Sequence, residues 1–268
     1  QSTGNSFLNI RGISSARNSE LAAAVLIDGV LLTNPTQLNQ QLFDIEQIEV
    51  LRGPQGALYG RNAIGGAITI TTKAPSEETE GQIQLGYESA PGFSVKGYVG
   101  GALNSDASAT YRLAASYIDH DGYLDNVYLN EKADPYQDQS VRGRINWQVS
   151  DRLSTDFRAS ISSLETQAFY FVLDDSADAV DKPIQNNNPG NNERDFTTAS
   201  FKFDYDMDFA TLTGITSYDD VSEVSSGDNV FFLPPEHPEN YWNYDFFFGC
   251  LRGGGAVPGC EFLGNFPG

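Results

Sequence analysis

The sequence predicts a mixed α/β unit followed by about seven antiparallel strands of the transmembrane β-barrel type, too few to close a barrel. Three observations lead to this fold class. Residues 7–72 alternate short apolar segments with glycine-rich turns. Residues 82–218 carry repeated period-two runs of apolar and polar side chains. The connections between these runs are mostly short at one end of the strands and long at the other.

Composition and charge narrow the class of protein. The chain of 268 residues is 40% hydrophobic and 12% aromatic, with 26 glycines, which is a β-rich profile. Its net charge of −20, with 16 scattered Lys and Arg, argues against a nucleic-acid partner because phosphate binding needs clustered cations. No window reaches the roughly 18 apolar residues of a transmembrane helix. This criterion does not exclude a membrane β-barrel, because strands that alternate apolar and polar residues keep the mean hydropathy as low as the −0.35 found here.

The predicted α/β unit consists of short segments. They are FLNIRGI, AAVLIDGVLL with a turn at Asp28-Gly29, an amphipathic LFDIEQIEVL, and AITITT. Ala74-Pro75-Ser76 and the acidic residues that follow end the unit, because proline and a run of charges interrupt regular structure. We therefore place a domain boundary there, with domains at 1–75 and 76–268.

Five glycines lie between two predicted strands in EVLRGPQGALYGRNAIGGAITITTK, residues 49–73. Glycine permits φ > 0 and close backbone approach, and phosphate-binding loops use both properties. The spacing here matches neither G-x-x-x-x-G-K-[ST] nor G-x-G-x-x-G. It therefore argues against a phosphate site and leaves the purpose of the glycines to be explained by the rest of the chain.

The strands predicted after residue 81 alternate regularly between apolar and polar side chains. Such alternation indicates one wet face and one dry face, and the polar set carries charges. We expect residues 82–221 to form a curved antiparallel sheet whose end strands lack the neighbours needed to close a barrel. The seven runs are 83–87, 93–99, 111–117, 141–149, 153–161, 199–205 and 209–218, the last with a blurred pattern.

Connection length follows the strand order. The connections after the third, fifth and seventh strands are long and polar, at 120–138, 166–193 and 222–268. Those after the second, fourth and sixth strands are tight, and the first connection, 89–92, is short and breaks the trend. Short turns at one rim and long loops at the other are typical of outer-membrane barrels, with the long loops outside the cell. A soluble β-sandwich is the alternative left open by these patterns.

Three motifs occur in order along the first part of the chain. They are IRG at 10–12, VLIDGV at 25–30 and DIEQIEVLRGPQGALYGRNAIGGAITITTKAP at 44–75. Together they resemble the plug domain of TonB-dependent outer-membrane receptors. The resemblance is close over the first 75 residues and continues as a general barrel pattern to residue 221. It implies a plug inside the barrel lumen, where glycines let plug strands and barrel wall approach closely.

The resemblance also implies a function for the parent protein. The sequence shows no signal peptide, TonB box or early plug strands, and it stops well short of the about 22 strands of plugged transporters, so we interpret it as a fragment. We expect TonB-dependent uptake of a ferric siderophore or another large scarce nutrient across the outer membrane of a Gram-negative bacterium. TonB, the nutrient and lipopolysaccharide would be the partners. The alternatives are a passive or structural barrel such as a porin or adhesin, TonB-dependent uptake of a glycan or cobalamin, and a soluble β-rich binding domain or carbohydrate-active enzyme.

Two plug arginines are candidates for docking. The resemblance implies that Arg11 and Arg52 point into the contact between plug and barrel and pair with barrel carboxylates, because a buried Arg needs such partners. The alternative, weighed equally, is an exposed plug Arg paired with Glu46 or Glu49.

The resemblance places the ligand-contacting apices of the plug in loops 14–19 and 33–39. These loops carry Arg17, Asn18, Asn34 and Gln37, donors suited to an anionic or oxygen-rich ligand. The aromatic-rich segment 231–248, which contains Tyr241 and Trp242, either packs on itself or closes over the ligand.

Catalytic, cofactor and metal sites are not predicted. His120 and His237 have no Ser or Cys arrangement that indicates a nucleophile. Asp119, Asp121 and Asp125 do not match an EF-hand loop, which needs Gly at its sixth position. We therefore expect the protein not to be an enzyme.

A disulfide is predicted in the last loop. Cys250 and Cys260 are the two cysteines of the chain and are separated by nine residues. A cysteine pair exported through the oxidising periplasm normally forms a bond, and two free thiols are the alternative.

Overall fold

The computed structural model describes residues 8–14, 23–60, 63–89, 91–167, 184 and 188–227. Most of these residues belong to two sheets. One has four strands and lies in the N-terminal unit; the other has seven strands and is formed by residues 80–226. We call the larger one the wall sheet. Within the described ranges, no helix has the length and hydropathy needed to cross a membrane.

The N-terminal unit is built mainly from short strands. Its central sheet has the order β4-β3-β6-β5, in which β3 and β6 run parallel and the other pairs antiparallel. The amphipathic segment 42–51 contributes to strand β5, so the described helical content is limited to two short turns. The elements are β1 (Asn9–Ile10), β2 (Ile13–Ser14), β3 (Ala24–Ile27), β4 (Val30–Leu31), a 3-10 helix (Pro35–Asn39), β5 (Ile45–Arg52), α1 (Gly56–Tyr59) and β6 (Gly66–Thr72).

The core of the N-terminal unit lies on both faces of the β3–β6 pair. Val25 packs with Leu32 and Ile70 on one face, and Ala24 and Leu26 pack with small residues on the other. A parallel strand that is buried on both faces has apolar residues at consecutive positions. The segment AAVLI, which includes β3, therefore shows no alternation of apolar and polar residues.

Gly66 explains one part of the glycine-rich stretch. Its φ is 154°, and a Cβ there would collide with the carbonyl oxygen of Leu51 on the neighbouring strand. Glycine is therefore required for close strand approach at this position, as the resemblance implied.

The wall sheet is an antiparallel meander in which neighbours in the sheet follow chain order. Strands β7 and β15 at its two ends each pair with a single described strand, so the sheet is open, as expected. Its strands are β7 (Glu80–Glu88), β8 (Gly92–Ala102), β9 (Ala109–His120), β12 (Tyr136–Ser150), β13 (Leu153–Thr166), β14 (Asn191–Asp206) and β15 (Thr211–Ser226). A small hairpin, β10 (Asp125–Asn126) and β11 (Glu131–Lys132), lies in the connection between β9 and β12.

Strand bounds differ from the sequence expectation at both rims. At the long-loop rim, β14 begins at Asn191 and β15 continues to Ser226, inside two predicted loops. Backbone hydrogen bonds continue there beyond the apolar alternation, and alternation was the only signal available in the sequence. At the other rim, Phe209 lies in a tight turn before β15 and is 86% exposed.

The two faces of the wall sheet have opposite chemistry. Apolar side chains such as Ile83 and Leu85 are exposed, with relative exposures of 77% and 75%. Polar side chains on the other face, including Arg112 and Asp138, are buried. The predicted alternation is confirmed, and its apolar side faces outward, which is the orientation of a sheet surrounded by lipid.

Candidate functional site: the seam between the N-terminal unit and the wall

The polar face of the wall sheet carries four arginines close together. Arg112, Arg144 and Arg158 are directly opposite one another on β9, β12 and β13. Arg142 lies two residues before Arg144, on the same face of β12, because side chains alternate along a strand. We call these four residues the arginine patch, and we call its contact with the N-terminal unit the seam.

Asp44 forms the most buried ion pair of the seam. Its Oδ1 and Oδ2 accept from Nη2 and Nε of Arg112 at 2.6 and 2.7 Å. The exposed fractions of the two side chains are 8% and 3%. Arg112 also pairs with Glu80 at 2.8 Å and lies over the ring of Tyr98. This bidentate pair fixes the turn before β5 against the wall.

Asp28 joins the N-terminal sheet to the wall from a second turn. Its carboxylate accepts from the backbone N and the Oγ1 of Thr72, and its carbonyl accepts from Nη1 of Arg158 at 2.8 Å. The carbonyl of Thr72 accepts from Nη1 of Arg144 at 3.1 Å. Both Asp28 and Asp44 have positive φ, 53° and 55°, a backbone conformation that Asp tolerates better than most residues.

Asp156 neutralises part of the patch from within the wall. Its carboxylate accepts from both Arg144 and Arg158. One acid therefore serves two guanidinium groups, and the remaining donors of both arginines turn to backbone carbonyls of the N-terminal unit.

Arg142 differs from the other three arginines. It donates to the carbonyl of Phe43 at 3.1 Å and lies 5.0 Å from the centre of that ring. No carboxylate of the described residues is within ion-pair distance of it. Its side chain borders a cavity of about 60 Å³ between the two units, which Asp28, Arg158, Ser160 and Thr198 also line.

The predicted docking residues lie outside this network. Arg11 and Arg52 are exposed, and neither pairs with a carboxylate of the described wall strands. The seam has the opposite polarity to the expectation, since the wall supplies arginines and the N-terminal unit supplies carboxylates. Docking of Arg11 and Arg52 against barrel carboxylates stays a prediction.

The seam was not predicted from the sequence. Arg112, Arg142 and Arg144 belong to the polar positions of the alternating strands, which were predicted only to carry charges. Arginines on the buried polar face of the wall need hydrogen-bond acceptors, and the N-terminal unit is where such acceptors could have been sought. The pairing with Asp28 and Asp44 depends on strand register, which the pattern does not give.

Two of the predicted ligand contacts have structural roles. Asn34 and Gln37 form a capping box: the Asn34 side chain accepts from the N of Thr36, and the Gln37 side chain accepts from the N of Asn34. Gln37 is 1% exposed. The loop is further tied to the wall by Thr36, which donates to Glu223 at 3.2 Å. The cap uses the side-chain oxygens of Asn34 and Gln37 as acceptors, and Nε2 of Gln37 donates to Asp219 at 3.5 Å. Their role as ligand contacts stays a prediction.

The long-loop rim contains the predicted histidine and acidic residues. His120 stacks on Tyr136, whose hydroxyl accepts from Gln41 of the N-terminal unit at 2.7 Å. Asp125 pairs with Lys132, and Asp119 accepts from Tyr117 and Gln137. Within the described ranges, no three His, Cys, Asp or Glu side chains form a group that could hold a metal ion.

Several predicted residues fall outside the described part of the chain. The ligand contacts Arg17, Asn18, Tyr241 and Trp242 and the disulfide between Cys250 and Cys260 are in this group, as is His237. These assignments stay predictions.

Comparisons with known proteins identify the class. Residues 1–67 match the family model of the TonB-dependent receptor plug domain. The chain is 34% identical over 154 residues to the vitamin B12 transporter BtuB of Vibrio vulnificus, covering 55% of this chain and 24% of BtuB. It is 40% identical over 101 residues to the pesticin receptor of Yersinia pestis, covering 37% of this chain and 15% of the receptor. The chain therefore spans a quarter or less of the length of these curated relatives.

Solved structures share the fold of both units. The ferric yersiniabactin uptake receptor FyuA from Yersinia pestis superposes with a TM-score of 0.73 at 22% identity, over 84% of this chain and 36% of FyuA. The ferripyoverdine receptor of the outer membrane of Pseudomonas aeruginosa gives a TM-score of 0.65 at 16% identity, over 83% of this chain and 31% of the receptor.

The chain carries a TonB-dependent receptor plug domain followed by strands with the fold of those receptors, which confirms the resemblance seen in the motifs. The matched proteins are named as transporters and receptors, and one of them is a receptor of the outer membrane. From here on the N-terminal unit is called the plug.

Proposed function

We propose that the parent protein is a TonB-dependent active transporter that takes up a ferric siderophore or a similarly large, scarce nutrient. The observation that carries this proposal is the seam. The plug is held on the polar face of the wall by buried, charge-assisted contacts, such as that between Asp44 and Arg112. A lumen blocked in this way needs energy to open, and a passive porin has no use for such a plug. TonB is the proposed source of that energy.

The relatives support uptake of an iron complex and leave one alternative. The matched proteins include a ferrioxamine B receptor from Salmonella typhimurium and the vitamin B12 transporter already described. Cobalamin is therefore the second candidate nutrient.

Uptake in whole cells tests the proposal. The full-length receptor is expressed in a strain that lacks its own siderophore and cobalamin receptors, with and without TonB. We expect uptake of an iron-labelled siderophore that requires both the receptor and TonB. Uptake that continues without TonB would indicate a passive barrel, and uptake of labelled cobalamin alone would identify the second candidate.

The ligand contacts proposed for this transporter are the plug loop residues Arg17 and Asn18 and the aromatic residues Tyr241 and Trp242. Replacing Arg17 by Ala in the full-length receptor is expected to weaken ligand binding to whole cells without altering the amount of receptor in the outer membrane. Unchanged affinity would remove Arg17 from the proposed ligand contacts.

A further inference from the structure

The arginine patch concentrates positive charge in an acidic protein. Four of the 16 Lys and Arg residues lie close together on three neighbouring strands, although the net charge of the chain is −20. Three of them form one row across the sheet, and Arg142 lies two residues from that row on β12. The wall itself offers Asp156 and Glu80 as partners of the patch, and Asp219 borders the same cavity as Arg142 and Arg158. Four arginines therefore face three wall carboxylates, and the plug acids Asp28 and Asp44 supply the balancing charge.

Plug groups occupy the patch as an anionic ligand would. The carboxylate of Asp44 accepts two hydrogen bonds from Arg112. The carbonyl oxygens of Asp28, Phe43 and Thr72 each accept one hydrogen bond from another arginine of the patch. Every one of these acceptors belongs to the plug. If the plug turns at 28 and 43–44 leave the wall, the guanidinium groups lose these acceptors together, and unpaired charges out of water are costly.

We propose that the arginine patch is a binding surface for an anionic nutrient complex, which replaces the plug acceptors as the complex passes through the lumen. The proposal rests on the proposed function, because it requires the plug to move from the wall. It assigns a chemical class to the nutrient: a chelate that carries carboxylate, catecholate or other oxyanion groups. Planar guanidinium groups bind such groups with paired hydrogen bonds.

Arg142 is the residue of the patch best placed for this role. Its guanidinium has five N–H donors, and its described hydrogen bond is to one plug carbonyl. It borders the cavity beside Ser160 and Thr198, whose hydroxyls hydrogen-bond to each other at 2.7 Å and leave one hydroxyl proton for an anion. Its replacement also breaks no described ion pair, so it tests binding with the least disturbance of docking.

Charge along the wall favours the patch over the rim as the anion surface. A cavity of about 310 Å³ at the long-loop rim is lined by Asp119, Asp121 and Glu165, without Lys or Arg among its described lining residues. This cavity would repel an anion. The patch is therefore the described part of the wall that an anionic complex would bind.

The test compares two probes in cells that express the full-length receptor as the sole receptor for them. One probe is an anionic iron-labelled tris-catecholate complex, and the other is a neutral tris-hydroxamate complex. We expect TonB-dependent uptake of the anionic complex to fall about tenfold in Arg142→Gln, in line with the loss of a charged hydrogen bond, while affinity at the cell surface stays the same. Uptake of any neutral complex should not change. Arg142→Lys, which keeps the charge, should recover part of the rate.

Lys202→Gln is the matched control, because Lys202 lies on the same wall face but pairs with Asp204 outside the patch. Receptor abundance in the outer membrane is measured for every variant, and uptake is expressed per receptor, so that a lower amount of Arg142→Gln in the membrane does not count as lost transport. Equal uptake by wild type and Arg142→Gln, or an equal loss for both probes, would overturn the role of the patch while leaving TonB-dependent transport intact. Absence of TonB-dependent uptake of both iron complexes by the wild type would overturn the anionic-chelate assignment, whereas the proposed function fails only if labelled cobalamin is not taken up either.

Discussion

The plug sheet and the wall sheet bury opposite kinds of side chain. In the plug, Val25 is fully buried and Ile70 is 5% exposed, whereas in the wall Ile83 is 77% exposed and Asp138 is fully buried. Both sheets are built from the same β-forming residues. The difference teaches that a pattern of alternation defines two faces of a strand, and the surroundings decide which face is covered.

The seam is the place where these two arrangements meet. The plug offers polar turns to the wall, and the wall offers its charged face to the plug. A contact made of ion pairs and backbone carbonyls can be exchanged for water or for a ligand more readily than an apolar core, because each group finds an alternative partner. This fits the proposed function, in which the plug seals the lumen and moves from the wall during transport.

The largest effect should come from breaking the buried ion pair across the seam. Asp44→Asn keeps the size of the side chain but leaves the partly exposed Glu80 as the remaining described carboxylate on Arg112, and removing one partner of a buried pair costs up to about 3–5 kcal/mol. We expect a lower urea midpoint for plug release in the full-length receptor, measured by limited proteolysis. Asp106→Asn, in an exposed tight turn, is the control. An unchanged midpoint would show that the ion pair does not hold the plug.

The next largest effect should come from a charge on the outward face of the wall. Ile145→Lys places a cation in lipid at the middle of the apolar run and is expected to cost about 2–4 kcal/mol on folding into vesicles. Asn146→Lys, on the polar face one residue away, should cost clearly less, because it lies near Asp156 on the neighbouring strand. Urea titrations in vesicles measure both variants, and equal costs would contradict the assignment of the two faces.

A valine-to-alanine substitution should lower the free energy of unfolding more in the plug core than on the outward face of the wall. Val25→Ala opens a cavity in the plug core and should cost about 1–3 kcal/mol. Val141→Ala, at a position 41% exposed on the wall, should stay within about 0.5 kcal/mol in detergent. Denaturant titration of the full-length receptor compares the variants. Similar losses at both positions would mean that the outward face is packed as tightly as the core.

The smallest effect should be local to the plug loop. Asn34→Ala removes the cap of the 3-10 helix at Pro35–Asn39 and should cost about 1 kcal/mol. Hydrogen exchange should become faster at the amide of Thr36, and Asn34→Asp should restore protection. Weaker ligand binding with unchanged exchange would return Asn34 to the set of ligand contacts.

Local chemistry made much of the fold predictable. The motif IDG gave the turn at Asp28-Gly29, which φ values of 53° and 86° confirm, and the alternation after residue 81 gave the antiparallel strands. The capping box of Asn34 and Gln37 was not predicted from the sequence, because the residue types that suit a ligand contact serve helix caps equally well, and their role as ligand contacts stays a prediction. Donor chemistry alone does not distinguish a cap from a binding site.

The sequence by itself determined the class of protein, the order of its two units, and the two faces of each wall strand, since these depend on motifs and on periods of a few residues. The tertiary structure alone decided that arginines scattered between residues 112 and 158 form one patch, and that their partners are acids of the plug. Asp28 and Arg158 are 130 residues apart, and Asp44 and Arg112 are 68 apart. Strand register and the seating of the plug bring them together, and neither is encoded in any short stretch of the chain.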